Sequence, residues 1–333
     1  MCPSEERRRI LRATLSLGAV AALGVPPGIR AQQRLELVRV LCGYPAGGSL
    51  DLLSRKVAER LGHAYASTSV VENRTGAAGR LAVEVLKTSP ADGSVLLVTP
   101  GSVVTMYPHV YKRLSYDVFA DLTPVAMVAA TDFCLAVGES VPAPVRSLDD
   151  FLGWCRSNPG QASCGNAGAG SFPHFMALLM ARDTGVALTH VPFRGGGPAM
   201  LAVAGGQVAA AIATESAGLA MERAGKLRIL ATTGAERSMF FPQAPTFFEL
   251  GFRSLARSEW FAAFMPGKAP GQKVAMAAEE IRAMLQEPAA RDSWAKMGLS
   301  AVSSSSAELQ VALKKEFEFW GPIIRASGFT PEA

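Results

Sequence analysis

Short apolar segments alternate with amphipathic segments along most of this chain of 333 residues. Residues 35–41 (LELVRVL) are predicted to form a strand, and residues 50–61 carry apolar side chains at helical spacing. Further strands are predicted at residues 70–72 and 95–99, with a helix between them that ends near Lys87. Because parallel strands need crossover connections, this order predicts a parallel sheet covered by helices.

The alternation begins again after residue 135, behind an apolar run at residues 125–137 that we interpret as one long strand. The later strands are predicted at 162–164, 188–191, 208–213, 227–232 and 259–265. The later helices are predicted at 148–157, 172–184, 216–224, 274–286 and 307–326, with one more that follows a turn at 193–198 and ends near 204. A second set of alternating elements is typical of a second α/β domain, so we expect two lobes.

The first thirty-one residues have the features of an export signal. A basic segment at residues 7–12 precedes an apolar stretch at 13–25, which is shorter than the roughly 20 residues of a membrane span. We predict a signal peptide at 1–31, cleaved near Ala31, and a periplasmic mature protein. The arginines at 7–12 also resemble a twin-arginine signal, and both export routes stay open.

The formal charge of +5 depends largely on this segment, which holds five of the 33 basic and two of the 28 acidic residues. The rest of the chain has 28 basic and 26 acidic residues, a net charge of +2. Such a small excess gives no reason to expect nucleic acid as a partner. An apolar fraction of 49% is typical of a folded globular protein rather than a disordered one.

Three glycine-rich turns, at residues 43–48, 165–171 and 194–197, each follow a predicted strand and precede a predicted helix. The N–H groups and the dipole of a helix N-terminus favour an anion. One helix end contributes only about 0.3–2 kcal/mol, so several must converge on one ligand; glycine can also serve the turn geometry alone. Open α/β sheets bind ligands at the carboxyl ends of their strands. That rule adds the residues after the third strand: Thr99, Gly101 and Ser102.

Four polar side chains near these turns allow two interpretations each. Asp51 and Glu215 begin predicted helices, so each either complements the helix dipole or meets a ligand hydroxyl, ammonium or bound water. Ser171 and His174 lie three residues apart and leave a hydrolase open as an alternative. Ser171 is better interpreted as a helix N-cap, and His174 as a donor to an anionic ligand.

Signals for cofactors and metals are weak. The sequence has no phosphate-binding loop, no dinucleotide fingerprint and no metal-spaced group of Cys and His, so we expect no cofactor and no metal. After Cys2, four cysteines remain, which allow three disulfide pairings. Their apolar neighbours favour small buried side chains, but the disulfide state stays open for Cys42, Cys134, Cys155 and Cys164.

Eight short motifs have the order and spacing of one known family. They are 44–51 (YPAGGSLD) with Arg55, 71–79 (VENRTGAAG), 92–93 (DG), 122–125 (LTPV), 168–171 (GAGS) with His174, 190–196 (HVPFRGG), 205–208 (GGQV) and 224–227 (AGKL). By these motifs the chain resembles the Bug-type periplasmic solute-binding proteins of the tripartite tricarboxylate transporters, from about Val38 to the last predicted helix.

The resemblance implies a type II periplasmic-binding-protein fold, in which two α/β lobes are joined by two crossover strands and enclose a ligand cleft. The crossovers would lie near residues 130–138 and 252–262. The first lobe would comprise residues 32–134 plus 255–333, and the second lobe residues 135–254.

The resemblance also implies a non-catalytic function, the capture of a small organic carboxylate (a dicarboxylate, amino acid or aromatic acid) for uptake or sensing. Permease subunits or a sensor kinase are the expected partners, and we expect a monomer. A signalling module that docks on a receptor in its ligand-loaded state remains an alternative.

Binding residues follow from the same resemblance. In the first lobe the ligand carboxylate would be held, partly through ordered water, by Tyr44, Pro45, Ala46, Gly47, Gly48 and Asp51. In the second lobe the other end would be held by Gly168, Ala169, Gly170, Ser171 and His174. We add Phe193, Thr214 and Glu215 as further candidates for ligand binding. The sequence departs from the family pattern at Ala209 and at 213–215, so the identity of the ligand is not carried over. Glu215 facing the cleft would favour a hydroxyl or ammonium group over a dianion.

Overall fold

A computed structural model describes residues 34–329 of the protein. The predicted signal peptide at 1–31 therefore lies outside the described residues. The strands are β1 (Leu35–Cys42), β2 (Ala66–Asn73), β3 (Val95–Pro100), β4 (Leu122–Thr131), β5 (Phe133–Val137), β6 (Ser163–Asn166), β7 (Thr189–Pro192), β8 (Ala210–Thr214), β9 (Arg228–Thr232) and β10 (Glu259–Pro266).

The α-helices are α1 (Ser49–Ala64), α2 (Arg80–Lys87), α3 (Gly101–Thr105), α4 (Tyr107–Val110), α5 (Val118–Asp121), α6 (Leu148–Ser157), α7 (Phe172–Thr184), α8 (Gly196–Ala204), α9 (Glu215–Arg223), α10 (Gly271–Gln286), α11 (Pro288–Lys296) and α12 (Ser306–Ala326). Two short 3₁₀ turns lie at Ala77–Gly79 and Arg253–Leu255. No helix within residues 34–329 is long and apolar enough to cross a membrane.

These elements form two five-stranded sheets. The first sheet has the order β2-β1-β3-β10-β4, and the second has the order β7-β6-β8-β5-β9. In the first, β1 is parallel to both its neighbours, and β10 runs antiparallel between β3 and β4. In the second, β6 is parallel to β7 and β8, whereas β5 runs antiparallel to β8 and β9. The predicted α/β class is confirmed, but each sheet is mixed rather than purely parallel.

The single strand predicted at 125–137 is wrong. It is two strands, β4 and β5, that belong to different sheets and are separated at Asp132. Both strands are buried and rich in apolar side chains, so the sequence is apolar on both sides of the crossover. The change from one sheet to the other therefore gives no signal in the hydrophobic pattern. The chain returns to the first sheet just before β10, where the Ser258 hydroxyl donates a hydrogen bond to Asp132 Oδ1. The two crossovers are thus tied together.

Buried apolar side chains cover the faces of both sheets. On the first sheet, Trp294 of α11 is fully buried and its Nε1 donates to the carbonyl of Val128 at 3.0 Å. The long helix α12 begins with a capping box of Ser305 and Glu308. Its Trp320 meets Phe172 of α7 with ring centroids 5.5 Å apart, so α12 contacts the start of α7.

The sequence patterns did not indicate α11 or the short helices α3, α4 and α5. The four cysteines of the described segment, Cys42, Cys134, Cys155 and Cys164, are buried free thiols, which agrees with the favoured interpretation. Burial raises the pKa of the Cys155 thiol to about 11, so the thiol stays protonated at neutral pH.

Candidate functional site

A cavity of about 290 Å³ lies between the two sheets. We define its first-sheet wall as Tyr44, Ala78, Pro100, Ser102, Tyr107, Thr131, Glu259 and Phe261. We define its second-sheet wall as Phe133, Ala167, Ser171, Phe172, Pro173, Gly196, Ala213 and Thr214. Most of these residues lie at or just beyond the ends of strands, where ligands of open α/β sheets bind.

Helix N-termini form much of the second-sheet wall. The helices α7, α8 and α9 begin at or next to Ser171, Gly196 and Thr214. The N-caps of α8 and α9, which are Gly195 and Thr214, make no side-chain capping hydrogen bond. The first N–H groups of a helix have no partner within the helix. In α9 the N–H of Glu215 donates to the carbonyl of Asp132 at 3.1 Å, so the start of α8 and the next N–H groups of α9 are left to donate to a ligand. A Cβ on Gly196 would come within 3.1 Å of the Ala213 Cβ, so glycine allows α8 to approach β8 closely.

The loop before α1 is held by a buried carboxylate. Asp51 is only 1% exposed, and its two oxygens accept from Gly47 N at 2.9 Å, Arg55 Nε at 2.8 Å and Asn73 Nδ2 at 2.8 Å. Burial raises the pKa of Asp51, but the hydrogen bonds from Arg55, Gly47 and Asn73 outweigh it and hold the pKa below its ordinary value. Asp51 therefore positions this loop as a carboxylate ion.

The loop before α7 is held by a neutral histidine. The Nδ1 atom of His174 accepts a hydrogen bond from Gly170 N at 2.9 Å, and its ring stacks on His190 with centroids 3.8 Å apart. Burial, with a smaller contribution from His190, lowers the pKa of His174 to about 4. The Ser171 hydroxyl donates to the carbonyl of Gly168 at 2.6 Å. The side chains of Ser171 and His174 thus both fix the loop.

A carboxyl group lies in the first-sheet wall. Glu259 is the first residue of β10, and its Oε1 accepts a hydrogen bond from the Ser102 hydroxyl. Burial raises the pKa of Glu259 to about 7, although the hydrogen bonds from Ser102 lower it. The ring hydroxyls of Tyr44 and Tyr107 lie in the same wall, and burial raises the pKa of both. Among the described residues that line the cavity, none is lysine, arginine or histidine.

Comparison with known proteins identifies the chain. Residues 53–329 match the family model described as tripartite tricarboxylate transporter family receptor. The chain belongs to this family. It is 30% identical to protein BugT of Bordetella pertussis over 292 residues, which cover 87% of this chain and 89% of BugT.

Solved structures agree. Rpa4515 of R. palustris, solved with adipate, has a TM-score of 0.77 and 27% identity, covering 91% of this chain and 100% of that one. A second structure, described as a periplasmic transporter, has a TM-score of 0.76 and 26% identity, covering 89% of this chain and 98% of that one. These matches confirm the periplasmic-binding-protein fold, and with it a solute receptor of the periplasm rather than an enzyme.

Several binding residues predicted from the sequence line the cavity of this receptor, namely Tyr44, Ser102, Ser171 and Thr214. The others lie outside its lining: Pro45, Ala46, Gly47, Gly48, Asp51, Thr99, Gly101, Gly168, Ala169, Gly170, His174, Phe193 and Glu215. In the first lobe, 45–48 are exposed, Thr99 is buried in β3, and Gly101 packs against Trp260. In the second lobe, Ala169 is exposed and the Phe193 ring packs on Gly165.

Glu215 is buried beside the first crossover, where its N–H donates to the carbonyl of Asp132 at 3.1 Å. It is 4% exposed, and its Oε2 accepts from the Ser238 hydroxyl at 2.6 Å, whereas Oε1 is buried with no hydrogen-bond partner. Burial raises the pKa of Glu215 to about 7, and the nearby carboxyl of Asp132 adds to this effect. Its hydrogen-bonded oxygen links the start of α9 to the segment at Ser238 within the second lobe.

Sequence reasoning did not propose Glu259, Tyr107, Thr131 or Phe261 as binding residues. One signal was available: Glu259 is an acidic residue at the start of an apolar strand, beside a crossover that the resemblance had located. The described residues contain no group of three or more His, Cys, Asp or Glu that could hold a metal ion.

Proposed function

We propose that this receptor binds a small organic carboxylate in the cavity between the first-sheet and second-sheet walls and delivers it for uptake. One observation carries the proposal: the starts of α7, α8 and α9 converge on one cavity between two sheets. Backbone N–H groups at helix N-termini provide a site for an anion without any basic side chain. The hydroxyl of Thr214 adds a donor in the same wall.

The arrangement of the crossovers supports closure around the ligand. The chain crosses between the sheets at Asp132 and again next to Ser258, and the hydrogen bond between these side chains ties the crossovers. Rotation of one sheet against the other about two short connections is a hinge motion. Closure would bring the two walls onto opposite ends of the ligand and exclude water.

The relatives support the class of ligand. Rpa4515, which is 27% identical, was solved with adipate, a small carboxylate. We propose that this receptor also binds a carboxylate, but we do not propose adipate as its ligand. Its partners in uptake would be the permease subunits of a tripartite transporter, with a sensor kinase as the other partner, and we expect the receptor to act as a monomer. Export would remove residues 1–31, which mass spectrometry of the mature N-terminus would detect.

Mass spectrometry of the native protein gives the decisive test. The purified protein is unfolded to release any bound ligand, and the released acids are identified. The stripped and refolded protein is then titrated by calorimetry with those acids and with a panel of small carboxylates, each paired with its uncharged amide. We expect at least one acid to bind at micromolar concentration and its amide to bind much more weakly. If neither the released acids nor the panel bind, or if amides bind equally well, carboxylate capture is wrong.

A further inference from the structure

We infer that Glu259 takes up a proton from water when the receptor captures its carboxylate, so that the receptor binds this ligand more weakly as the pH rises. The inference rests on the proposed function, because it assumes an anionic ligand in the cavity between the two walls. It adds a regulation of that site and places it on one side chain of the first-sheet wall.

Glu259 lies where a captured anion must come near it. The residue begins β10, pairs in register with Thr131 of β4, and lines the first-sheet wall of the cavity. A sphere with the cavity's volume of about 290 Å³ is about 8 Å across, so an anion held in it lies within about that distance of the lining carboxyl. An ionised Glu259 would therefore repel the ligand.

No basic side chain in the cavity wall offsets that repulsion. Among the described lining residues none is lysine, arginine or histidine, and Glu259 is the one acidic residue. The helix starts of the second-sheet wall attract an anion, but they supply only partial charges. When two carboxyl groups share a site, the repulsion between them raises the pKa of one, which then holds a proton.

Glu259, rather than the ligand, is the carboxyl group that holds this proton. Burial raises its pKa to about 7 from an ordinary 4.5, whereas carboxyl groups in water have pKa values of about 4. The Ser102 hydroxyl donates to Oε1 of the ionised form. A protonated carboxyl has an O–H that can donate to a ligand oxygen, whereas an ionised carboxyl can only accept.

The hydroxyl groups beside Glu259 add no charge of either sign. Ser102 of α3 is neutral, and so is Thr131 of β4. The rings of Tyr44 and Tyr107 lie close enough for the charge of Glu259 to act on them, but burial raises the pKa of both, so they stay neutral at physiological pH.

Two charged groups lie behind the first-sheet wall. Burial raises the pKa of Glu316 of α12 to about 7, and the charge of Glu259 adds to this effect, whereas the charge of Arg257 opposes it. The Arg257 guanidinium lies over the ring of Phe319, 3.3 Å from its centroid. Neither Glu316 nor Arg257 lines the cavity, so Glu259 is the group that a captured anion meets.

Ligand affinity should stay constant where Glu259 is already protonated and fall where it must first take up a proton. In the free receptor Glu259 is half ionised near pH 7, and a bound anion raises its pKa further. We therefore expect affinity to fall about tenfold between pH 6 and pH 8, and capture at pH 8 to take up about one proton.

Calorimetry measures both quantities. An acid that is ionised throughout this range is titrated into the stripped protein at pH 6 and pH 8. The titration at pH 8 is run in HEPES and in Tris, because the difference in heat between the buffers gives the number of protons taken up. Glu259→Gln is neutral at every pH, so we expect it to take up no proton and to bind at pH 8 about tenfold more tightly than the wild-type protein. A damaged site would not gain affinity.

Two other carboxyl groups with a pKa of about 7 provide matched controls. Glu215→Gln and Glu316→Gln change side chains that do not line the cavity, so both variants should keep the proton uptake and the fall in affinity. Ser102→Ala removes a hydroxyl that stabilises the ionised form of Glu259, so it should move the fall in affinity to a higher pH. This variant keeps the test decisive if Glu259→Gln folds poorly.

The outcomes separate the two proposals. If the wild-type protein takes up no proton at pH 8, or if Glu259→Gln takes up as many as the wild-type protein, the coupling is wrong while carboxylate capture stands. If Glu215→Gln or Glu316→Gln loses the uptake instead, the proton belongs to that carboxyl and the inference is wrong as well. If no acid binds at either pH, carboxylate capture and the inference that rests on it both fail.

Discussion

The two walls of the cavity differ in the kind of charge that they present. The second-sheet wall is built from helix starts, where backbone N–H groups of α8 and α9 lack a side-chain cap. The first-sheet wall presents the carboxyl of Glu259, held by Ser102, beside the ring hydroxyls of Tyr44 and Tyr107. One wall therefore offers backbone donors at helix starts, and the other offers side-chain carboxyl and hydroxyl groups.

The loops behind the walls are also held by unlike groups. Asp51, as a carboxylate ion, fixes the loop before α1 in the first lobe. His174, as a neutral ring, fixes the loop before α7 in the second lobe. Neither side chain lines the cavity, and both are buried. The residues that position the loops are thus different from the residues that line the cavity, and variants can test the two groups separately.

The largest expected effect on ligand affinity comes from placing a larger side chain in the second-sheet wall. In Ala167→Phe a ring would occupy part of a cavity of about 290 Å³. Such overpacking costs about 1–3 kcal/mol, so we expect affinity for the bound acid to fall by about tenfold to a hundredfold. Calorimetry with the acid identified from the native protein measures the change.

The matched control is Ala169→Phe, two residues further along the same loop. Ala169 is exposed and does not line the cavity, although the sequence resemblance included it among the binding residues. We expect its affinity to stay within about twofold of the wild-type value. Equal losses in both variants would show that the loop as a whole, rather than the wall, contacts the ligand.

Asp51→Asn should destabilise the first lobe. The variant loses the negative charge that accepts hydrogen bonds from Arg55 and Gly47. Because the Arg55 side chain is half exposed, we expect the free energy of unfolding at pH 7 to fall by only about 2 kcal/mol. The pKa of Asp51 is lowered in the folded protein, so its contribution is present above the ordinary value of 3.8 and is lost as the pH falls below it. Urea unfolding at pH 7 and pH 3 measures both effects. Asp149→Asn, an exposed change in α6, serves as the control, and an equal loss there would contradict the assigned role.

His174→Gln should flatten the acid side of the stability profile. The pKa of His174 is about 4 in the folded protein against an ordinary 6.5, so its contribution is present above 6.5 and is lost as the pH falls toward 4. Between pH 7 and pH 5 this costs the wild-type protein about 2 kcal/mol, and the glutamine variant avoids that loss. Urea unfolding across this range detects the difference. Gln272→Ala, an exposed change in α10 that removes no titratable group, should keep the wild-type slope; a variant at His174 with that same slope would refute the assignment.

Much of the fold could be predicted from the sequence because its signals are local. Apolar runs and helical spacing identified most strands and the long helices, and the glycines after the strands marked the starts of α7 and α8. The division between β4 and β5 could not be predicted from that pattern. Both strands carry mostly apolar side chains on both faces, and Asp132 is the one residue between them.

The candidate site was predicted less completely because it is assembled from distant segments. Turn motifs led to Tyr44 and Ser171, which line the cavity. Glu259 lies at the cavity because β10 pairs with β3, and Tyr107 lies there because of the position of the short helix α4. Neither the strand pairing nor the helix position has a signal in the local sequence. Asp51 and His174 have the opposite character: their motifs are conspicuous, but their side chains bind the protein's own backbone.

Glu215→Gln should have the smallest effect on the ligand. Glu215 lies at the start of α9, beside the second-sheet wall, but its hydrogen bond goes to Ser238 and it does not line the cavity. We therefore expect ligand affinity to change by less than about twofold in calorimetry. The pKa of Glu215 is raised to about 7, so its contribution to stability is present below the ordinary value of 4.5 and is lost as the pH rises toward 7. The variant should consequently gain stability over the wild-type protein at pH 8 but not at pH 4. If it instead weakened ligand binding by about tenfold or more, Glu215 would reach the ligand, and the second-sheet wall would not be built from helix starts alone.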